Sequence, residues 1–426
     1  MQQTAYRLED LAGQKVICYG TGSSSLKQQF LQRIVRAGVD LTILKFPGES
    51  VMPDAPCKVI GAEWNDTGVL QSPNGIVYNG ALTYDELHVM RLSRAGSVFN
   101  LENQPLSIEV AGVCRDKRLM KERFLQHNIP TAPHALWKNE RELSLALGDL
   151  GLTDHDYILK PALGAASAGV LHVHKGELLE DAVGKFRALC ATGVKKAGYF
   201  LILEPPFLVE KYIQHYDKPV ELSVDGYVHN GEFSEVIVSE KVDMVTTGVF
   251  TENKYVSPPL SDFVTADIDD IVKIASSAVK ALGIDNSVFH CEIRYDDDKI
   301  NILEVGSRPG GGLISESAVY RTGVDLRLQH LLLAIGMPLQ QVQRTEQATC
   351  FGTLYYEPEF SNLANLEVVC QIARDEGLFF EARTDPQHRK DPLLDWLIGF
   401  GVTGDSPKDS YSRFYSYQDR FKGILR

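Results

Sequence analysis

Short apolar runs alternate with longer amphipathic stretches along this chain, the pattern of strands and helices taken in turn. Residues 15–19, Lys-Val-Ile-Cys-Tyr, read as a strand that runs into Gly20-Thr21-Gly22, then a helix over 24–37 and a second strand at 41–46. That β-α-β opening is the start of a doubly wound sheet. Residues 116–126 predict an amphipathic helix carrying Leu119, Met120 and Phe124, stopped by Asn128-Ile129-Pro130. A strand at 157–161, a small-residue loop at 162–169 and a returning strand at 170–174 follow, with another strand at 207–213. Residues 221–228 and 232–238 flank Asn230-Gly231. Asn-Gly between alternating runs predicts a hairpin, because both residues tolerate the positive φ of a primed turn. Residues 267–282 keep helical period through Ile271, Ala275, Val279 and Leu282, with Gly283 placed to end the helix. Residues 288–295 and 300–305 predict a second hairpin about Asp297-Asp298-Lys299, and beyond Pro338 the pattern weakens into short strands and helices. The reading is a multidomain α/β and α+β protein.

Composition narrows the function classes. The chain has 426 residues, 44% hydrophobic and 23% charged, an ordinary globular balance with room for about two to four domains. Lys and Arg total 43 against 56 Asp and Glu, a net charge of -13. This argues against a nucleic-acid surface or an anionic membrane surface, although a local basic pocket for phosphate remains compatible. No run of 18 apolar residues occurs, so no transmembrane helix is expected, and the polar start at 1–10 is unlike a signal peptide. Seven scattered cysteines without Cys-x-x-Cys fit a reducing cytoplasm, with neither a disulfide framework nor a zinc site expected.

Several residue groups could carry chemistry. Gly20-Thr21-Gly22 lacks the third glycine of a dinucleotide fingerprint and no acid closes the second strand, so it reads as a tight strand-to-helix turn. Lys160 ends a strand and is followed by Pro161-Ala162-Leu163-Gly164-Ala165-Ala166-Ser167-Ala168-Gly169. Such small residues let backbone N–H groups wrap an anion, and they equally suit a flexible hairpin tip. Around a three-residue loop at 297–299, Glu292 and Glu304 fall opposite one another on one face, whereas a four-residue loop would separate them. Opposed like charges destabilise a sheet unless a cation lies between them, and two carboxylates suit Mg²⁺. Two solvent-facing acids are the plainer alternative. Arg308, before Pro309-Gly310-Gly311-Gly312, could neutralise charge building on a phosphoryl or acyl group. Residues 208–213, Leu-Val-Glu-Lys-Tyr-Ile, could present backbone to an adenine edge or form an ordinary edge strand.

Taken in order, these groups resemble the ATP-grasp superfamily. The match runs over about residues 112–335: Asp116-Lys117, Met120-Lys121, His127-Asn128-Ile129-Pro130-Thr131-Ala132-Pro133, the Lys160 loop, Val209-Glu210-Lys211-Tyr212-Ile213, Glu221-Leu222-Ser223-Val224-Asp225, and His290-Cys291-Glu292 through Glu304-Val305 to Arg308-Pro309-Gly310-Gly311. The resemblance implies an ATP-grasp fold with a Rossmann-like N-terminal domain (1–112), a small lobe (113–205), a large lobe (206–340) and a C-terminal α+β extension (341–426). It also implies ATP between the lobes. Lys117 and Lys160 would meet the phosphates or the adenine side, and the loop of Gly164, Ala165, Ala166, Ser167 and Gly169 would close over the triphosphate. Glu210, Lys211, Tyr212 and Ile213 would bind adenine, mainly through backbone. Either Glu221 or Asp217, which stands nearer the usual offset, would hold the ribose. Glu292 and Glu304 would ligate Mg²⁺ (or Mn²⁺), and Arg308 would stabilise an acyl phosphate. Gly306 stands where the family usually has Asn. His290 reads as a packing or supporting residue ahead of a base.

Within the superfamily, Ser239-Glu240-Lys241, 248–255 and Val256-Ser257-Pro258 resemble the bacterial L-amino-acid ligases. There Glu252 would meet an amino group, and Tyr255 takes the place of a histidine, with Arg308 and Gly311 completing the substrate side. The implied activity is ATP-dependent joining of an amino acid or small carboxylic acid to an amino acid, through an acyl phosphate, with release of ADP and phosphate. The products would be dipeptides, amides or antibiotic precursors, and a homodimer would be common among relatives. Two alternatives stay open: formate or bicarbonate chemistry of nucleotide metabolism, for which Arg294 and Arg321 are the nearby phosphate-binding candidates, and nucleotide binding without catalysis.

Overall fold

The computed structural model describes residues 8–20, 25–47, 49, 57–61, 76–165, 167–196, 204–214, 220–244, 254–296, 299–382 and 396–426. Its first sheet is parallel, in the order Lys58–Gly61, Asp40–Lys45, Lys15–Tyr19, Gly80–Leu82. The helix Ser25–Arg36 packs Phe30, Leu31 and Ile34 onto Val16, Leu41 and Ile43. Leu328, Leu331 and Leu332 of the distant helix Leu326–Ala334 complete that core. The residues 21–24 that would show the strand-to-helix turn lie outside the described residues.

A second, antiparallel sheet has the order His134–Trp137, Phe207–Lys211, Tyr157–Pro161, Leu171–Val173. Its core joins Trp137, Leu159 and Val209 to Leu143 of the helix Glu140–Asp149 and Val183 and Phe186 of the helix Leu179–Lys196. The third sheet is eight-stranded and antiparallel throughout: Lys299–Gly306, Ser287–Asp296, Glu221–His229, Glu232–Val242, Lys254–Ser257, Ala348–Tyr355, Trp396–Gly404, Phe379–Ala382. The helices Ile108–Arg115, Lys117–Gln126 and Ile268–Leu282 cover its first half, burying Val113, Met120, Phe124, Ile271, Ala275 and Val279 against Val224, Cys291 and Ile302. The helices Leu366–Asp375 and Pro407–Leu425 cover its second half.

Strand pairing sets which elements share a sheet. The strand Phe207–Lys211 completes the small sheet because it pairs on both sides there. The helix Ile108–Arg115 spans position 112 and packs with the large sheet. The C-terminal segment continues the large sheet directly, since Ala348–Tyr355 pairs with Lys254–Ser257.

Both hairpins form. Asn230 (φ 52°) and Gly231 (φ 78°) take the positive φ that a primed turn requires. In the second hairpin Asp296 already faces Lys299, so the tip is shorter than the three-residue loop expected. A bulge at Leu303 then shifts the register by one, and Glu292 still arrives opposite Glu304. Helix Lys117–Gln126 differs in its faces. It buries Lys117, Met120, Lys121 and Phe124 and leaves Leu119 exposed, so two lysines share the inward stripe. Among the described residues no helix is long and apolar enough to cross a membrane.

Candidate functional site

A cleft of about 360 Å³ lies where the three sheets meet. The small sheet contributes Lys160, Glu210 and Lys211, and the loop after Lys160 contributes Gly164, Ala165 and Ser167. Facing them from the large sheet are Glu221, His290, Glu292, Arg294 and Glu304, with Lys117 at the start of its helix, while Asp85 and Glu86 come from the N-terminal domain.

Strand register explains how so many charges are buried together. Glu221 is directly opposite Lys241 on one neighbouring strand and Arg294 on the other. Its carboxylate accepts from Lys241 Nζ at 2.7 Å and from Arg294 Nε at 2.6 Å. Lys241 also donates to Glu292. His290 lies 3.3 Å from Glu292 through Nε2, and 2.7 Å from Asp225, its partner in register, through Nδ1. The result is a row of alternating sign. Burial pushes the Glu292 carboxyl up, but Lys241 and His290 outweigh it and hold it well below the usual carboxylate range. Burial likewise opposes the His290 imidazolium, yet Asp225 and Glu292 raise its pKa to about 10. The pairing thus favours the protonated form of His290, which steadies Glu292.

Glu304 is held on its other side by Lys117 Nζ at 2.8 Å, and Lys117 also donates to Gly164 O at 3.2 Å. Glu292 and Glu304 thus present facing carboxylates toward the cleft, an oxygen-only donor set that fits Mg²⁺. On the opposite wall the Glu210 carboxylate sits between Lys160 Nζ at 2.8 Å and Lys121 Nζ at 3.4 Å, with Lys121 also donating to Thr131 Oγ1 at 2.6 Å. Burial favours neutral forms here, but the two lysines pull Glu210 down to about 2, while Lys121 falls to about 8 because burial outweighs Glu210.

The remaining expected residues separate. Gly164, Ala165, Ser167, Lys211, Ile213, Tyr255, Arg308 and Gly311 line the cleft. Tyr212 turns its ring onto His172, centroids 3.9 Å apart, and does not line the cleft. Gly169 (φ 76°) does not line it either. A Cβ there would stand 2.8 Å from Pro161 Cγ and 3.1 Å from Cys190 Sγ, so this glycine serves the packing beneath the loop. Arg321 lies away from the cleft and donates to the carbonyls of Thr345 and Gln347. Ala166, Asp217 and Glu252 lie outside the described residues.

Sequence reasoning passed over Glu86 and Arg115, and took Lys241 only as part of the Ser239-Glu240-Lys241 stretch, without a role. Arg308 donates through Nε to Glu86 at 2.7 Å and through a terminal nitrogen to Pro309 O at 2.9 Å. Arg115 reaches Glu86 at 3.4 Å and Leu163 O at 2.9 Å, linking the loop to the same carboxylate. Burial raises the Glu86 pKa, but Arg308, Arg115 and Lys117 outweigh it and leave it lowered. Glu86 belongs to no local motif, and nothing in the sequence places it beside Arg308. The Asn-Gly turn alone would set Glu221 across from Glu240; a bulge between Gly226 and Asp225 shifts the register by one and brings Lys241 there instead. A Cβ built on Gly306 would stand 3.4 Å from Glu86 Oε2, so Glu86 approaches the space that a side chain there would need.

Residues 153–317 match the family model described as the ATP-grasp domain. No curated protein matches the chain by sequence. Among solved structures it is similar to an L-amino acid ligase from Bacillus licheniformis (18% identity, TM-score 0.70, 96% of this chain and 98% of that chain). It is similar to N5-carboxyaminoimidazole synthetase from Staphylococcus aureus complexed with ADP (14%, TM-score 0.68, 96% and 97%). It is also similar to phosphoribosylglycinamide synthetase from Anaerococcus prevotii (17%, TM-score 0.65, 95% and 98%). At these identities the likeness is one of fold.

Proposed function

On the premise that this chain carries an ATP-grasp domain and has the ATP-grasp fold, that of ATP-dependent ligases forming C–N bonds, we propose that it activates an amino acid or small carboxylic acid as an acyl phosphate. An amino acid then attacks, giving a dipeptide or amide with ADP and phosphate. The observation that supports this reading concerns the two arginines that are candidates for a phosphorylated substrate among the described residues. Arg294 is bonded to Glu221, and Arg321 is spent on two backbone carbonyls away from the cleft.

A carboxylate must be given a better leaving group before an amine can displace it, so the protein's task is alignment and charge neutralisation. Lys117 and Lys160 would meet the phosphates, and the segment 164–169 would cover them. The N–H groups of Lys211 and Tyr212 are bonded to the carbonyls of Pro133 and Asp156, so an adenine edge would meet the backbone at Ile213. Glu221, with Asp217 as its competitor, would serve the ribose. Glu292 and Glu304 would hold Mg²⁺ or Mn²⁺, which when bound offsets charge on the phosphoryl group being transferred. Arg308, kept in place by Glu86, would neutralise charge on the acyl group. Glu252 and Tyr255 would face the amino-acid substrate.

Phosphate release with Mg-ATP over a grid of acid and amine substrates, with mass spectrometry of the product, tests the proposal. Release with no amino-acid pair would sink it. The likeness to the two purine-pathway synthetases favours a second reading, which release only with bicarbonate, formate or a phosphorylated amine would support.

A further inference from the structure

Behind the Gly310–Gly312 turn lies a second cavity of about 220 Å³. One water needs only about 10–15 Å³ of such space, so the volume is suited to a ligand group. Tyr255 and Gly311 wall both this cavity and the cleft, which makes the two spaces neighbours across one thin turn. The turn has to be thin. A Cβ on Gly312 (φ 60°) would stand 2.7 Å from Tyr255 Oη, and one on Gly310 would stand 2.7 Å from Asp225 Oδ1.

The far wall comes from the C-terminal strands. Thr353 and Tyr355, two residues apart and therefore on one face, line the cavity with Trp396, which pairs with Tyr355 in register. Tyr84 closes it from the N-terminal domain. Among the described residues two cations reach the lining, and both are neutralised within the protein. Lys27 Nζ lies 2.9 Å from Asp85, and Arg327 is bonded to Glu316 and lies 3.5 Å from Asp325. A charged ligand group placed here would be desolvated without a partner of its own, whereas an apolar ring would lose nothing.

We propose that this cavity receives the side chain of the amino-acid substrate, and that it selects large neutral side chains, aromatic ones first. The inference rests on the ligase reading for the word substrate, but the cavity's preference can be measured by binding alone. Aromatic side chains gain from tilted or stacked contacts with Tyr84, Tyr255, Tyr355 and Trp396 beyond the area they bury. Small or charged side chains would leave the space unfilled or unpaired.

The test uses the whole protein with Mg-ADP present. Binding of L-phenylalanine, L-alanine, L-glutamate and inorganic phosphate is measured by calorimetry, and phosphate release from Mg-ATP is measured with each amino acid in pairs. The expected result is at least about tenfold preference for phenylalanine over alanine in binding, and the same order in kcat/KM. Thr353→Trp, which fills the cavity, should reduce that ratio at least about tenfold, with Thr353→Leu between it and the wild type; ADP binding serves as the check that each variant is folded. If phenylalanine binds with this preference but no pair releases phosphate, the cavity assignment stands and the ligase reading falls. If pairs turn over with no preference for large side chains, or if phosphate or glutamate binds in place of phenylalanine, the cavity assignment is overturned and the ligase reading is untouched.

Discussion

Replacing Glu210 by Gln removes one negative charge from between two buried lysines. Glu210 is 3% exposed and Lys121 is fully buried, so neither can turn to water for compensation. The magnitude can be worked in two ways. The Glu210 pKa, about 2 against an ordinary 4.5, corresponds to roughly 3 kcal/mol at about 1.36 kcal/mol per pKa unit. Removing one partner of a buried ion pair independently costs about 3–5 kcal/mol. Because the folded pKa is depressed, the contribution is fully present above pH 4.5 and is lost as pH falls toward 2. Urea unfolding followed by circular dichroism at pH 7 should therefore show Glu210→Gln destabilised by about 3 kcal/mol, and the variant should lose the wild type's extra decline between pH 4.5 and 2. Adding Lys121→Met, which removes a buried ammonium along with the carboxylate, should restore at least about 1 kcal/mol. A single variant within about 1 kcal/mol of wild type, or a double variant weaker than the single, would refute the reasoning.

Glu304→Gln should lower phosphate release at least about 100-fold and raise the Mg²⁺ concentration needed for half-maximal rate, while ADP binding measured without metal stays close to wild type. His330, buried with Nε2 3.1 Å from Thr83 O, has its pKa lowered by burial to about 4. The unfolded chain takes up a proton below about 6.5 and the folded one does not, so a stabilisation of up to roughly 3 kcal/mol present above that pH is lost as pH falls to 4; His330→Phe should flatten this part of the urea-stability profile. Gly169→Ala forces a Cβ into left-handed backbone at about 1–2 kcal/mol, and against Pro161, so its melting temperature should fall by several degrees while Gly164→Ala, in ordinary backbone, falls less.

Local pattern carried the element list well, because strands and helices here follow their periodicities and the turns carry Asn-Gly and Gly signals. It carried the facing of Glu292 and Glu304 by a partly different route: Asp296 already pairs with Lys299, and the Leu303 bulge restores the opposition. What it missed is tertiary. Leu119 was counted with the apolar face of its helix, but Lys117 and Lys121 take that face because Glu304 and Glu210 wait beneath them. The Arg308–Glu86 contact joins residues 222 apart in the chain, and no spacing rule reaches that far. The close fit of Gly169 to the Pro161 ring is likewise a tertiary contact that no local pattern announces.

The insertion of the small sheet into the chain has a mechanical consequence. The eight-stranded sheet links the second hairpin to the C-terminal strands through unbroken pairing, so it forms one slab, and the chain enters the small sheet from that slab through the crossing at 127–133. That crossing is riveted: Thr131 bridges Ile302, with Ile302 N donating to Pro130 O and Thr131 Oγ1 donating to Ile302 O, both at 2.8 Å. Lys121, on the slab, reaches Thr131 on that crossing and Glu210 on the small sheet. The buried ions thus tie the small sheet to the slab beside that crossing, and the same carboxylate that stabilises the fold also fastens together the two walls of the cleft.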